Sequence, residues 1–459
     1  MNNCAILVKL RNVRKHPNAD RLQLATVLGT QIVVGLDATN DQIGIYFDSN
    51  LQLSEVYCKN NNLYSKSYAE NNIDVEKFGY ASLNRRVRTI KLKSETSNGL
   101  FMPLESCDFI SGYGKDYLLK KGENFEFTEL NGVEICRKYI IPNKNNSLGN
   151  TKGKNKTRKV HEKRIIDNQF RFHFDTSQLA RNLHHLYPDD IASCSYKLHG
   201  TSSITSNCMV LRDINWVEKL ISRFKFTSKF IKVNRFENDY IFASRKVIKN
   251  DDLKVEHNHF YGYDLWAEAG KKFDGLLHNG EAVYYEIVGF TNTGGYIQGK
   301  NGKDGRLGFD YNCEPNEYKI YVYRITQTTT DGHVIELQWK QLKERCNQIG
   351  FEHVPEIFYG KLKDLGNNAS KYYLENKDSL NIEEWRNILL ADLKETYLEK
   401  DSIFCKNKVP EEGIVLRIDG LEIKCFKYKA DAFWAYEDKC KEENVVDMEE
   451  DSTEYYEEN

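Results

Sequence analysis

Apolar residues near the start of the chain fall into short runs broken by turn residues. Residues 5–10 (AILVKL), 22–28 (LQLATVL), 31–37 (QIVVGLD) and 42–48 (QIGIYFD) have this form. Short β-rich runs at such spacing predict a small barrel or sandwich. A dense basic run, Arg85-Arg86-Val87-Arg88-Thr89-Ile90-Lys91-Leu92-Lys93, leads into Ser97-Asn98-Gly99-Leu100-Phe101, which reads as a turn and a returning strand. Beyond residue 170 the periodicity becomes mixed. Residues 178–186 read as helical. In 216–224, Trp216, Val217, Leu220, Ile221 and Phe224 recur at helical spacing, and Lys225, Lys229, Lys232 and Arg235 extend its basic side. Further helical segments at 337–348 and 381–400 separate β-type runs at 284–289, 320–325 and 411–417. The pattern predicts an α+β fold behind a β-rich front module.

A length of 459 residues accommodates two or three domains with full cores. The formal charge of −2 gives no global basic field, so any surface for a polyanion must be local. Residues 142–165 carry eight Lys and Arg against Glu162 alone and almost no apolar side chain, as expected of a flexible linker, plain or loosely holding nucleic acid. From 442 to 459 the chain is acidic, the signature of a solvated tail or of one folding back on the basic linker. The expected layout is therefore a front module (1–141), a linker (142–165), a larger domain (166–441) and a tail (442–459). Eleven scattered cysteines without a CxxC pair predict free thiols in a reducing compartment. Neither a leader nor an apolar run long enough to span a bilayer is evident, so the expectation is a soluble cytoplasmic monomer with no membrane partner.

Chemistry centres on Tyr196-Lys197-Leu198-His199-Gly200-Thr201-Ser202. A lysine on a turn, with a glycine through which a ligand phosphate can approach the backbone, suits a lysine nucleophile. Downstream come Ala243-Ser244-Arg245-Lys246, Tyr284-Tyr285-Glu286-Ile287-Val288-Gly289, Ile320-Tyr321-Val322-Tyr323-Arg324-Ile325, Glu411-Glu412-Gly413-Ile414-Val415-Leu416-Arg417 and Phe426-Lys427-Tyr428-Lys429-Ala430-Asp431-Ala432-Phe433. Each carries charge among apolar neighbours, which is costly in a buried strand unless the charge is paired or used. Several such segments predict one polar cleft between two sheets. Lys427 and Lys429 are two apart, so on a strand they share a face, while Lys424 is their rival for the same role.

Taken in order, these segments resemble the nucleotidyltransferase motifs of polynucleotide ligases, nearest the nick-sealing (RNA ligase 2-like) RNA ligases. His16-Pro17-Asn18-Ala19-Asp20-Arg21-Leu22 resembles a turn in tRNA-binding OB modules, and with the basic run it is similar to the Deinococcus-type branch, which carries an N-terminal OB module. The resemblance implies an OB-like module before an adenylyltransferase domain of two antiparallel sheets. It implies ATP and Mg2+ or Mn2+ as cofactors, and RNA, as a nicked duplex or RNA/DNA hybrid, as partner. Lys197 would be the nucleophile, with His199 and Gly200 in its motif. Arg245 would contact the nucleotide or 5′-phosphate, Glu286 the ribose, and Tyr323 and Val415 the two faces of adenine. Glu412 would serve metal and lysine, and Lys427 and Lys429 the α-phosphate. Arg85, Arg86, Arg88, Lys91 and Lys93 would follow a nucleic-acid backbone. Ser202 replaces an asparagine of some phage relatives. Arg417 stands where they have lysine and cannot exchange a proton as lysine does. The rival readings are a GTP-using capping guanylyltransferase and a non-catalytic RNA-binding protein on a ligase fold.

Overall fold

The computed structural model describes residues 3–140, 164–173, 176–223, 234–249, 261–299 and 307–442. Most of the basic linker (to 163), Lys225, Lys229 and Lys232, and the acidic tail beyond 442 lie outside the described residues.

The front segment carries the four expected strands at Ala5–Lys9, Gln23–Val27, Thr30–Val34 and Ile43–Phe47. The first and last belong to a four-stranded antiparallel sheet completed by Leu100–Pro103 and Glu126–Phe127. The middle two join Arg11–Lys15 in a three-stranded antiparallel sheet. Strand alternation places the apolar side chains in two clusters, one around Phe47, Leu53 and Tyr57, the other around Ile6, Val27 and Ile32.

The larger part of the chain is built on two sheets facing one core. In the five-stranded sheet, Ile191–Lys197 lies between Gly413–Asp419 and Glu356–Lys361, and Lys424–Lys429 flanks Gly413–Asp419 on its other side. In the seven-stranded sheet, Thr201–Leu211 pairs with Phe236–Ser244 and Glu281–Gly289, and the latter pairs with Tyr318–Thr328. These long pairings are all antiparallel; only the two-residue strands Ser177–Gln178 and Glu352–His353 join in parallel. The core between the sheets buries Trp266, Trp339 and Trp385 completely or nearly so. Helices Trp339–Ile349 and Ile382–Leu393 form at the two later helical segments.

One helical expectation came out differently. Residues 178–186 form two short 3-10 turns, Leu179–Arg181 and Leu183–His185. The Asn182 side-chain amide takes the Gln178 carbonyl that an α-helix would have used, and the Asn182 N–H turns to Leu179 instead. Helix Trp216–Arg223 forms, but Trp216 is 75 % exposed and Val217 and Leu220 are also exposed, so the described residues do not bury its apolar side.

The front segment is docked on the larger part through buried polar contacts. Arg181 reaches back to Asp48 (3.2 Å) and Glu126 (3.0 Å). The Tyr428 hydroxyl and the Lys394 ammonium both donate to the Gly29 carbonyl, at 2.9 and 2.8 Å. Gly29 has φ +71°, and a Cβ there would lie 2.3 Å from the Tyr428 hydroxyl, so the contact requires glycine twice over. Asp431 accepts from the Thr30 hydroxyl and the Gln31 N–H, and Arg86 forms a buried ion pair with Asp438.

Candidate active site

Between the two sheets opens a cavity of about 250 Å³. Strand geometry explains what faces it. On Gly413–Asp419, Ile414, Leu416 and Ile418 enter the core, leaving Val415 and Arg417 toward the cavity. On Lys424–Lys429 the cavity side is Cys425, Lys427 and Lys429. The opposite side carries Phe426, buried, and Tyr428, bound to Gly29. Lys424 points with them: its ammonium lies 3.3 Å from His185 Nδ1, and it does not line the cavity.

All ten residues expected around a nucleotide, Lys197, His199, Gly200, Arg245, Glu286, Tyr323, Glu412, Val415, Lys427 and Lys429, line this one cavity. Lys197 ends its strand opposite Gly413, and its ammonium lies 2.8 Å from Glu412 Oε1. Lys429 reaches the same oxygen at 3.4 Å. Glu412 is buried, and among the described residues its Oε2 has no hydrogen-bond partner; His199 Nδ1 lies 3.8 Å from it. Burial alone would raise the Glu412 pKa, but Lys197, Lys429 and His199 outweigh it and hold the carboxylate below its usual range. At its neighbour Glu411 burial, with Glu412 beside it, outweighs Ser402 and Lys400 and pushes the pKa to about 7.

The cations crowd one another. Burial, followed by Lys429, Arg245 and Lys197, drives the Lys427 ammonium well below the ordinary lysine range, opposed by Glu437. His199 is lowered to about 4 by burial, against the pull of Glu412 and Glu437. His173 is lowered well below its usual value by burial, then by Arg245 and Arg324. Such a pocket favours an anion.

Gly200 lines the cavity and meets a second constraint that its sequence did not suggest. A Cβ there would sit 2.3 Å from the Ile287 carbonyl and 2.9 Å from Glu286 Cγ, so glycine is needed for close approach to the neighbouring strand. Its N–H donates to Glu286 Oε1 at 3.1 Å, fixing that carboxylate at the cavity wall. Tyr323 shares a 2.7 Å hydrogen bond with Ser202, and the His173 ring meets it edge-on at 5.4 Å. Arg417 is saturated: it holds Glu336 (2.9 Å), Asp419 (3.2 Å) and the Leu337 carbonyl, which makes it a brace at the back of the site.

The basic run does not form the single cationic hairpin its sequence suggested. The hairpin is Thr89–Leu92 with Glu95–Asn98, and Arg85, Arg86 and Arg88 precede it. Lys91 and Lys93 are exposed. Arg85 turns back to the Leu53 and Leu83 carbonyls, and Arg88 to Tyr80. Arg86 is buried against Asp438, because the helix Asp431–Glu442 packs over this hairpin. The HPNADRL turn is tied to the same hairpin: His16 Nε2 contacts the Leu92 carbonyl at 3.1 Å, and Asn18 donates to Lys93.

Sequence reasoning passed over His173, Gln298, Trp434 and Glu437, which also line the cavity. Gln298 donates to the Gly200 carbonyl at 2.9 Å. Trp434 and Glu437 sit three residues apart on the helix after Lys429, and that spacing was the one signal in the sequence that could have paired them.

No family model and no curated protein matches the chain. Solved structures do. An RNA ligase of Naegleria gruberi with pyrophosphate superimposes at TM-score 0.52 and 14% identity, over 96% of this chain and 100% of that one. A variant of that ligase with AMP and manganese gives 0.52 and 12%, over 95% and 99%. Another variant with ATP and manganese gives 0.51 and 12%, again over 95% and 99%. The chain shares the fold of these ligases over nearly its full length. Among the described residues no helix is long and apolar enough to cross a membrane.

Proposed function

We propose that the protein is an ATP-dependent RNA ligase that seals 3′-hydroxyl and 5′-phosphate ends, acting as a monomer with an OB-like front module. One observation carries the reading. Lys197 stands 2.8 Å from a buried carboxylate in a cation-lined cavity, on a fold shared with RNA ligases. In the proposed reaction the neutral Lys197 amine attacks the α-phosphorus of ATP, forming a P–N bond as the P–O bond to pyrophosphate breaks. The AMP then passes to the RNA 5′-phosphate, and the 3′-hydroxyl displaces it.

Glu412 would orient the Lys197 side chain for attack, since its Oε1 holds the ammonium. Lys427 and Lys429 converge from one strand face on the charge that grows on the phosphate oxygens. Tyr323 and Val415 offer apolar surfaces to a base from opposite sheets, and Glu286 faces the ribose. Glu412 also suits Mg2+ or Mn2+, because its buried Oε2 lacks a hydrogen bond. Among the described residues no group of three or more His, Cys, Asp or Glu is arranged as a cage, which suits an ion held by one carboxylate, phosphates and water. Such an ion offsets phosphate charge.

The test is sealing of a nicked RNA duplex with magnesium and either ATP or GTP. Ligation with ATP alone supports the reading. Guanylylation with GTP would favour the capping reaction, and sealing with neither would leave a binding protein.

A further inference from the structure

The helix Asp431–Glu442 begins two residues after Lys429 and has two working sides. Asp431 and Asp438 are seven apart, two turns along one side, and both bind the front segment: Asp431 through Thr30 and Gln31, Asp438 through Arg86 and the Thr89 N–H. Trp434 and Glu437, three apart, face the cavity. The front segment thereby fixes which side chains of this helix meet the site.

Glu437 Oε1 lies 3.3 Å from the Lys429 ammonium, while Glu412 Oε1 holds the same ammonium at 3.4 Å. Lys429 therefore has a carboxylate on two sides, and its ammonium also lies 4.8 Å from the Trp434 ring. An entering phosphate must compete for this ammonium. Glu412 is the harder carboxylate to displace, being 2 % exposed and shared with Lys197. Glu437 is 18 % exposed and reaches in from a helix.

We propose that Glu437 is a built-in counter-ion of the phosphate site, held on Lys429 when no nucleotide is bound and displaced by the incoming phosphate. This deepens the nucleotidyl-transfer reading and rests on it for the identity of the anion. The arrangement lowers the affinity of the empty site for adventitious anions. It also makes phosphate entry break one ion pair contributed by a helix that the front segment holds in place.

The experiment compares dissociation constants of ATP with magnesium, of pyrophosphate and of adenosine, for wild type and Glu437→Gln at fixed ionic strength. Removing one carboxylate beside a largely buried ammonium should tighten ATP and pyrophosphate about 3- to 30-fold. Adenosine, which carries no phosphate, should stay within about twofold. Most of the gain should be lost in a Lys429→Met background, because the ion pair is with Lys429, while Glu437 also acts on Lys427 and His199 at longer range. Glu437→Ala repeats the comparison without a side chain able to hydrogen-bond the lysine. Unchanged or weaker pyrophosphate binding in both variants overturns the proposal. So does a gain that persists in full without Lys429, or one matched by adenosine. Pyrophosphate binding needs no catalysis, so this outcome is separate from a failure of wild type to form an AMP adduct, which would count against the reaction alone.

Discussion

Two basic stretches, Arg85–Lys93 and Lys427–Lys429, look alike as sequence and differ as structure. The first has the higher charge density, yet its members scatter: Arg86 is buried on Asp438, Arg85 and Arg88 turn to backbone carbonyls, and Lys91 and Lys93 remain exposed. The second has only two cations, yet both face one cavity, because a strand sends alternate residues to the same side. Charge density alone does not report a binding surface. Charge in phase with an element's period, opposite a buried carboxylate, does better.

The largest test of this contrast is Arg86→Ala. If Arg86 serves the junction, its loss takes the ion-pair partner from the buried Asp438 carboxylate, and global stability should fall by about 3–5 kcal/mol in chemical denaturation. A change within about 0.5 kcal/mol, the range of ordinary surface substitutions, would return Arg86 to the surface role its sequence suggested.

Next come the lysines of the strand. Lys427→Ala and Lys429→Ala should each slow AMP transfer to the protein by roughly 30- to 1,000-fold, or about 2–4 kcal/mol. Lys424→Ala, on the opposite side beside His185, should slow it by less than about threefold. A larger defect at Lys424 in single-turnover adenylylation would break the assignment of faces.

A smaller effect follows from the crowding at Lys427. Burial and the neighbouring cations hold its pKa well below the ordinary lysine range. A bound phosphate favours the charged form and raises that pKa, so ATP or pyrophosphate should bind with net proton uptake. Calorimetry in buffers of differing ionisation enthalpy should show up to about one proton taken up, reduced in Lys427→Met. The same proton balance in wild type and Lys427→Met would contradict a phosphate site in which burial and crowding disfavour the Lys427 ammonium.

The smallest effect concerns the exposed pair. Lys91→Ala and Lys93→Ala should each reduce the salt dependence of RNA binding by about one unit of slope, leaving adduct formation unchanged. Equal loss of both would mean that the hairpin acts through the helix Asp431–Glu442.

Much of this arrangement was legible in the sequence because it depends on local periodicity. The strands at 5–9, 43–47, 281–289 and 413–419 follow from runs of alternating or continuous apolar residues. Lys427 and Lys429 shared a face as soon as they shared a strand. What was not legible depends on contacts hundreds of residues apart. Nothing near Arg86 announces Asp438, and nothing near Gly29 announces Tyr428. Gly200 was read as room for a ligand, and its close approach to Ile287 could not be read from the sequence. The helix expected at 178–186 was lost to a single asparagine amide. Glu437 was passed over because an acidic residue on a helix is ordinarily solvated, and only the packing of that helix against the front segment turns it toward Lys429.

The central claim is that Lys197 is the nucleophile, and peptide mapping of the protein after incubation with ATP and magnesium tests it most directly. AMP should be found on Lys197 through an acid-labile P–N bond, and Lys197→Ala should carry none while still sealing a nick already bearing 5′-AMP. No adduct on the wild-type protein, or AMP on Lys427 or Lys429 in its place, would contradict the account.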